Sequence, residues 1–176
     1  SPETLRSFLD LHGDKMEFCL IQLNYLDWSL QRADEKCRIL KEKNIPVWVM
    51  EPVRGGRLVN KLPQSAKEHL TSLRPDESVA SWCFRWLMTL DNMGVILSGM
   101  SNMDQLEDNL KTFEEYFPLN GKELALLWSY QNGYGGGQFL FLLLCQLLPG
   151  VGIIAALGVN EDGHGLLGQR CGGLGF

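Results

Sequence analysis

Two glycine-containing segments carry residue types that bind anions. Arg54 stands beside the glycines at 55–56, where a guanidinium fork and close backbone approach come together. The segment 98–101 holds two serines and a glycine ahead of an amphipathic stretch, where a helix would present free N–H groups. Both segments follow apolar runs and together predict an anion site. Their spacing equally fits a chain turn at 55–56 and a helix cap at Ser101, and both interpretations stay open.

A third polar group follows another apolar run nearer the start of the chain. Gln22 and Asn24 supply amides, and Tyr25 supplies an aromatic ring that can stack on a flat ligand. A side-chain amide can exchange hydrogen bonds with a carboxamide, so this group is a second candidate binding site. Packing of these residues, with Asn24 as a loop cap, is the alternative that their spacing leaves open.

Other reactive sets find no support in the sequence. The three histidines stand apart and are expected to be solvated. The five cysteines, which contain no C-x-x-C pair, are Cys19, Cys37, Cys83, Cys145 and Cys171. We therefore expect buried, reduced thiols in a cytosolic protein rather than a metal or cluster site. Lysine and arginine total 16 against 21 acidic residues, and the net charge of −5 argues against a surface for coating nucleic acid or anionic lipid.

Apolar runs and amphipathic segments alternate along the first 130 residues. Near-continuous apolar runs predict strands at 18–23, 45–50 and 94–98, the first two buried on both faces. Helical spacing predicts helices at 2–11, 33–44, 79–90, 101–113 and 121–130, the first started by the Ser-Pro-Glu signal at residues 1–3. Arg85, inside the apolar helix 79–90, is left to find a polar partner. Ser101 and Asn102 are expected to cap the helix that ends at 113, whose apolar stripe is Met103, Leu106, Leu110 and Phe113. The stretch 54–75 is expected to be irregular, with one helical turn at 66–73.

This alternation indicates parallel, right-handed βα units. A doubly wound sheet and a (β/α)8 barrel are the candidate folds, and the chain would supply less than half of a barrel of about 250 residues. Ligands bind at the carboxyl ends of the strands in both folds. All three polar groups described above fall at such ends.

Three segments resemble the ends of the sixth, seventh and eighth strands of an aldo-keto reductase: 22–27, 49–56 and 97–109. The motifs M-E-P-x-R-G-G and S-G-M-S are similar to those of a bacterial branch of that family. Order and spacing agree from Ser1 to about Leu126. The resemblance implies that residues 1–130 form the C-terminal, cofactor-binding part of a (β/α)8 barrel, an α/β fold of parallel strands alternating with helices.

The resemblance also implies an oxidoreductase that reduces an aldehyde or ketone with NADPH or NADH and without a metal. Gln22 would bind the coenzyme carboxamide, and Met50 takes the place where many relatives stack a tyrosine on the nicotinamide. Residues that would follow the pyrophosphate are Glu51, Val53, Arg54 and Gly55. Residues that would hold the adenosine half are Ser98, Gly99, Met100, Ser101, Gln105, Asp108 and Asn109.

Two departures from the family pattern affect this interpretation. The family's catalytic Asp, Tyr, Lys and His come from earlier strands and loops, so we expect this chain to need an N-terminal barrel half and to be inactive alone. Tyr25 is no replacement, because it follows the wrong strand. Gln105 stands where relatives that prefer the phosphorylated coenzyme often carry Arg, so the choice between NAD and NADP stays open.

Residues 131–176 differ sharply in composition. Of the 19 glycines, 13 lie at 133–176, and residues 139–159 form an apolar stretch long enough to be a membrane-span candidate. Pro149 and Gly150 interrupt that stretch, and no Lys or Arg cluster flanks it. We therefore favour a foreign or out-of-frame tail over a working anchor.

Two alternatives to the reductase hypothesis remain at this point. The chain could be a non-catalytic module that binds a dinucleotide or another protein through the same loops. It could also be tethered to a membrane through residues 139–159. The first alternative predicts coenzyme binding without carbonyl reduction, even by the complete protein. The second predicts that residues 139–159 partition with detergent rather than into the aqueous phase.

Overall fold

The computed structural model describes residues 1–132, along which strands and helices alternate. The strands are β1 (Cys19–Gln22), β2 (Val47–Met50) and β3 (Met93–Ile96). The helices are α1 (Pro2–His12), α2 (Asp27–Leu30), α3 (Ala33–Glu42), α4 (Arg57–Asn60), α5 (Gln64–Leu73), α6 (Val79–Leu87), α7 (Met103–Phe113) and α8 (Gly121–Asn132). The predicted tail, its candidate membrane span and its two cysteines lie outside the described residues.

The three strands form one parallel sheet in the order β1-β2-β3. Ile21 lies opposite Val49 across the first pair of strands, and Trp48 lies opposite Val95 across the second. Each strand is followed by helices before the next strand begins. The predicted parallel βα units are therefore confirmed for the described residues.

Local side-chain caps account for several helix starts. Ser1 accepts a hydrogen bond from the Thr4 N–H at the start of α1, as the sequence predicts. The start of α7 is capped by Asn102, whose side chain accepts from the Gln105 N–H. The prediction named Ser101 and Asn102 together, and the structure assigns the cap to Asn102.

The stretch 54–75 contains more helix than predicted. The prediction was an irregular segment that contains one helical turn, whereas the structure has two helices there, α4 and α5. Gly56 is in the left-handed conformation at φ +77° and precedes α4, while Pro63 precedes α5. Short helices of this kind lack the long apolar periodicity on which the prediction relied.

The two faces of the sheet have different environments, which corrects the prediction that the first two strands are buried on both sides. Val47 and Val49 are fully buried in a core that includes Leu40 of α3. On the opposite face, Leu20 is 42% exposed and Met50 is 38% exposed. No element of residues 1–132 covers that face, so burial there would require something beyond the described residues.

Helix α7 also presents its predicted apolar stripe differently. Met103 and Leu110, expected to face the core, are 63% and 59% exposed. The helix instead contacts α6 through Asp108, which accepts a hydrogen bond from Ser78, and through Phe113, whose ring lies 5.3 Å from that of Phe84. The stripe therefore marks a second apolar surface that the described elements leave open.

Four charged side chains form a largely buried ionic cluster beneath α6, in which Arg74 and Arg85 are buried and Glu77 and Glu123 are half-buried. Arg74 donates to both carboxylate oxygens of Glu123 at 2.7 Å. Arg85 donates to Glu77 at 2.6 Å and to the Phe117 carbonyl at 2.9 Å. The sequence predicted a polar partner for Arg85 inside an apolar helix, and this cluster supplies it.

The cysteines of the described residues are free thiols. Cys37 and Cys83 are buried, as predicted, and burial raises the pKa of each thiol to about 12. Such thiols remain protonated and unreactive at neutral pH. Separately, none of the helices within residues 1–132 is both long and apolar enough to cross a bilayer.

Candidate functional site

The loops that follow β2 and β3 open into one cavity at the carboxyl edge of the sheet. The cavity has a volume of about 590 Å³, within the range of small-molecule sites. Most of the predicted coenzyme contacts line it, namely Glu51, Val53, Gly55, Ser98, Gly99, Met100, Ser101, Gln105, Asp108 and Asn109. The structure thus brings together two loops that lie more than 40 residues apart in the chain.

Further lining residues come from positions that the sequence analysis did not name as site residues. Asn60 at the end of α4 contributes, as do Ser78 and Phe84 of the α6 region. Ser78 was identifiable only as part of a helix start signal, and Phe84 only as an apolar position. Their role as cavity walls depends on how α6 packs beside both loops, which no local pattern reports.

The loop after β2 adopts an unusual backbone conformation. Glu51 and Arg54 have positive φ angles of 57° and 51°, and Gly55 and Gly56 follow at 58° and 77°. Left-handed non-glycine residues are uncommon and cost free energy, so the surrounding structure must hold them in place. The N–H groups of Gly55 and Gly56 form no hydrogen bond with any described residue. They are therefore available to an anionic ligand.

The loop after β3 is partly closed by its own side chains. Gln105 Oε1 accepts from the Ser101 N–H at 2.8 Å and lies 3.3 Å from the Ser101 hydroxyl oxygen. Asn109 Nδ2 donates to Ser98 Oγ at 3.0 Å. The N–H groups of residues 99 and 100 form no hydrogen bond within the described part of the chain. This loop therefore offers ligand donors at 99–100 but not at Ser101.

Among residues 1–132, the charged side chains that line the cavity are all acidic. Glu51, Asp104 and Asp108 contribute carboxylates, and no lysine or arginine of the described residues lines it. Asp108 is partly engaged, because it accepts from the Ser78 hydroxyl at 2.6 Å. A phosphate-bearing ligand would have to be held here by backbone N–H groups rather than by a cation.

Three predicted contacts lie outside the cavity lining: Gln22, Met50 and Arg54. Gln22 and Met50 are neighbours in register at the ends of β1 and β2. The Arg54 guanidinium was expected to contact the pyrophosphate of a ligand. It lies instead 3.8 Å from the protein's own Asp27 carboxylate. The structure thus separates a cavity at the β2 and β3 ends from a polar group at the β1 end.

Asp27 is the centre of that polar group. The sequence places it at the end of the first strand, within segment 22–27, but assigns it no role. Asp27 is 0% exposed, and its carboxylate accepts hydrogen bonds from Gln22 at 2.8 Å and Asn24 at 2.7 Å. Asn24 also donates to the Glu51 carbonyl at 2.9 Å, which joins the β1 end to the loop after β2. The available signal was an acidic residue between Leu26 and Trp28, in an apolar setting.

The described residues contain no group of side chains arranged to bind a metal ion. Among residues 1–132, no three His, Cys, Asp or Glu side chains come close enough together to hold an ion. The chemistry that this site offers is hydrogen bonding to a polar, flat or anionic ligand.

A parallel α/β fold with a ligand cavity at the carboxyl edge defines a class of chains that bind small molecules or coenzymes at that edge. Comparison with known sequences gives a match to the model of the Aldo/keto reductase family over residues 2–130. This chain belongs to the aldo/keto reductase family, whose members are oxidoreductases. A search of curated proteins found no match.

Solved structures with the same fold include aldo-keto reductase AKR11C1 from Bacillus halodurans in its holo and apo forms. Each is 20% identical to this chain, has a TM-score of 0.55 and matches 73% of it. The matched region covers 46% of the holo chain and 47% of the apo chain. The chain therefore shows part of the (β/α)8 reductase fold and spans about half the length of these reductases.

Proposed function

We propose that this chain supplies the coenzyme-binding portion of an NAD(P)H-dependent reductase that converts an aldehyde or ketone to an alcohol. The observation that carries the proposal is the shared cavity of the loops after β2 and β3. Those loops are the ones whose motifs resemble the coenzyme-binding segments of the family. A bound coenzyme would supply the hydride, and the residues of this chain bind and orient it.

The diphosphate of the coenzyme is assigned to the open N–H groups of the β2 loop. Gly55 and Gly56 present donors without side chains that would block approach. The adenosine half is assigned to the β3 loop and α7, where residues 98–101 and Asn109 form the opposite wall. The nicotinamide end is assigned to Gln22 and Met50, at the carboxyl ends of their strands.

The acidic lining supports NADH as the preferred coenzyme. NADPH carries an additional phosphate, and Asp104 and Asp108 would repel it while no lining cation would attract it. Gln105 supplies no positive charge to offset this repulsion, because its side chain is a neutral amide whose oxygen accepts from the Ser101 N–H. The ribose hydroxyl of NADH, in contrast, can donate to a carboxylate.

Carbonyl reduction itself is assigned to the assembled barrel. The open sheet face and the exposed stripe of α7 are apolar surfaces of the kind that further βα units cover in a (β/α)8 barrel. We propose that such units provide the catalytic residues and most of the carbonyl-substrate contacts. We further place the protein in the cytoplasm, with no role in binding nucleic acid or membranes, in keeping with its net charge of −5.

A fluorescence titration of the 176-residue chain with NADH and NADPH tests the binding step. We expect saturable binding of both, with the tighter dissociation constant for NADH. Asp104→Asn removes one carboxylate from the lining and is expected to strengthen NADPH binding about two- to fivefold while changing NADH binding less. Absence of binding by both coenzymes would reject the proposal.

A second assay separates the reductase from a binding module. A longer form that adds βα units with the family's catalytic residues is expected to oxidise NADH when an aldehyde is supplied, whereas residues 1–176 are expected to bind without turnover. Binding by both forms with no turnover by either would favour the non-catalytic module.

A further inference from the structure

The carboxylate of Asp27 is fully buried and receives donors from several directions. Gln22 Nε2 and Asn24 Nδ2 both donate to Oδ2, and Gln31 Nε2 donates to Oδ1 at 3.3 Å. Arg54 lies 3.8 Å from Oδ1 and is the charged partner of the group. A buried carboxylate with this many donors is a fixed feature of the site rather than a solvated side chain.

The contact with Asp27 determines which way the Gln22 amide faces. A carboxylate has only acceptor atoms, so the nitrogen of Gln22 must point toward Asp27. The oxygen Oε1 is therefore the end of the amide left to accept a hydrogen bond from a ligand. Without Asp27, both amide orientations would be accessible, since oxygen and nitrogen have nearly the same size.

We propose that Asp27 is a positioning residue that fixes Gln22 so that its Oε1 accepts a hydrogen bond from the carboxamide NH₂ of the nicotinamide. The inference rests on the proposed coenzyme function and adds a residue to it. The same carboxylate anchors Arg54, and Asn24 links it to the Glu51 carbonyl.

A purely structural role for Asp27 makes a different prediction. If the carboxylate only satisfied buried donors, its loss would destabilise the carboxyl edge of the sheet and weaken the binding of every ligand equally. A positioning role acts through Gln22 and affects only ligands that carry a nicotinamide. ADP-ribose is the matched probe, because it contains the adenosine and diphosphate of NADH without the nicotinamide.

The test compares NADH and ADP-ribose binding by calorimetry in the 176-residue chain and its Asp27→Asn variant. Asparagine keeps the shape but can accept at only one side-chain atom, so the orientation of Gln22 is no longer fixed. We expect about a five- to tenfold loss of NADH affinity and less than about a twofold change for ADP-ribose. Asp91→Asn, an exposed acidic residue paired with Lys41, is the control and should change neither.

A double-mutant cycle isolates the route of the effect. Gln22→Met removes the amide and is expected to weaken NADH binding as much as Asp27→Asn does. The double variant should lose no more than either single variant, because both act on one hydrogen bond. Additive losses, or equal losses for both ligands in Asp27→Asn, would overturn the positioning role.

The wild-type chain provides a readout that does not depend on how well the variant folds. The side-chain NH₂ of Gln22 should exchange slowly with water in NMR spectra, with and without ADP-ribose, because Asp27 accepts from it. Fast exchange would overturn the proposal. Failure of wild type to bind either ligand would instead reject the coenzyme function itself, so the two failures are distinguishable.

Discussion

The two faces of the β-sheet are similarly apolar in sequence yet differ in structure. Val47 and Val49 on one face are 0% exposed beneath the helices, whereas Leu20 and Met50 on the other are 42% and 38% exposed. The covered face holds the described residues together, and the open face is a surface on which further structure can pack. The helices of residues 1–132 bury one face of the sheet by themselves. Burial of the other face requires structure beyond these residues.

Tryptophan substitutions on the two faces give the largest expected contrast. Trp86 is 1% exposed and contacts Trp28 and Trp128, so Trp86→Ala should lower the free energy of unfolding by about 3–5 kcal/mol. Trp48 lies on the open face, stacked on Phe18, and Trp48→Ala should cost about 1 kcal/mol. Urea denaturation measures both. Equal losses would show that the open face is as well packed as the covered one.

The buried ionic cluster beneath α6 is the next feature to test. Glu77→Gln leaves Arg74 and Arg85 without their shared carboxylate and should cost about 2–3 kcal/mol. Asp91→Asn breaks the exposed pair with Lys41 and should cost less than about 1 kcal/mol. The same urea experiment compares them, and an equal effect would mean that burial adds nothing to the cluster.

The cluster also predicts how stability changes with pH. Burial raises the pKa of Glu77, but hydrogen bonds from Arg85 and Arg74 outweigh it and hold the pKa below its usual 4.5. Because the pKa is lower in the folded state, ionised Glu77 stabilises the fold above pH 4.5. This stabilisation is lost as the pH falls below that value and the carboxylate is protonated. Urea midpoints from pH 7 to pH 3 should therefore fall less steeply for Glu77→Gln than for wild type. Identical slopes would contradict this assignment.

Glycine substitutions give the smallest expected effect. Gly55 has φ +58° in the cavity loop, so Gly55→Ala should destabilise by about 1–2 kcal/mol. Gly13 has φ −60°, and an added Cβ would meet its nearest neighbour at 3.6 Å, so Gly13→Ala should change stability by less than about 1 kcal/mol. Thermal unfolding compares the two variants. Equal stability of both would show that the loop conformation is not strained.

The elements of the covered face could be predicted from sequence because their signals are local. The start of α1 follows from Ser1 and Pro2, and the strands follow from their apolar runs. The open face could not be predicted in the same way. An apolar run such as that around Leu20 does not reveal whether the described chain or another segment covers it.

Two features of the site escaped prediction for related reasons. The left-handed conformation of Glu51 and Arg54 depends on how the β2 loop is held by its neighbours, since neither residue type favours it. Asp27 lies within segment 22–27, but its role depends on Gln22, Asn24 and Arg54 converging on one carboxylate, which the segment alone does not report. The cavity loops themselves were predictable, because parallel strands place their carboxyl ends at one edge.

The most direct test of the coenzyme site is an NMR titration of the 15N-labelled chain with NADH. We predict that the largest amide shifts occur at Gly55, Gly56, Gly99 and Met100, whose N–H groups are free of described partners. The amide resonances of helix α1 should not shift. Saturable shifts in these cavity loops would support the assignment, and shifts confined to α1 or absent throughout would contradict it.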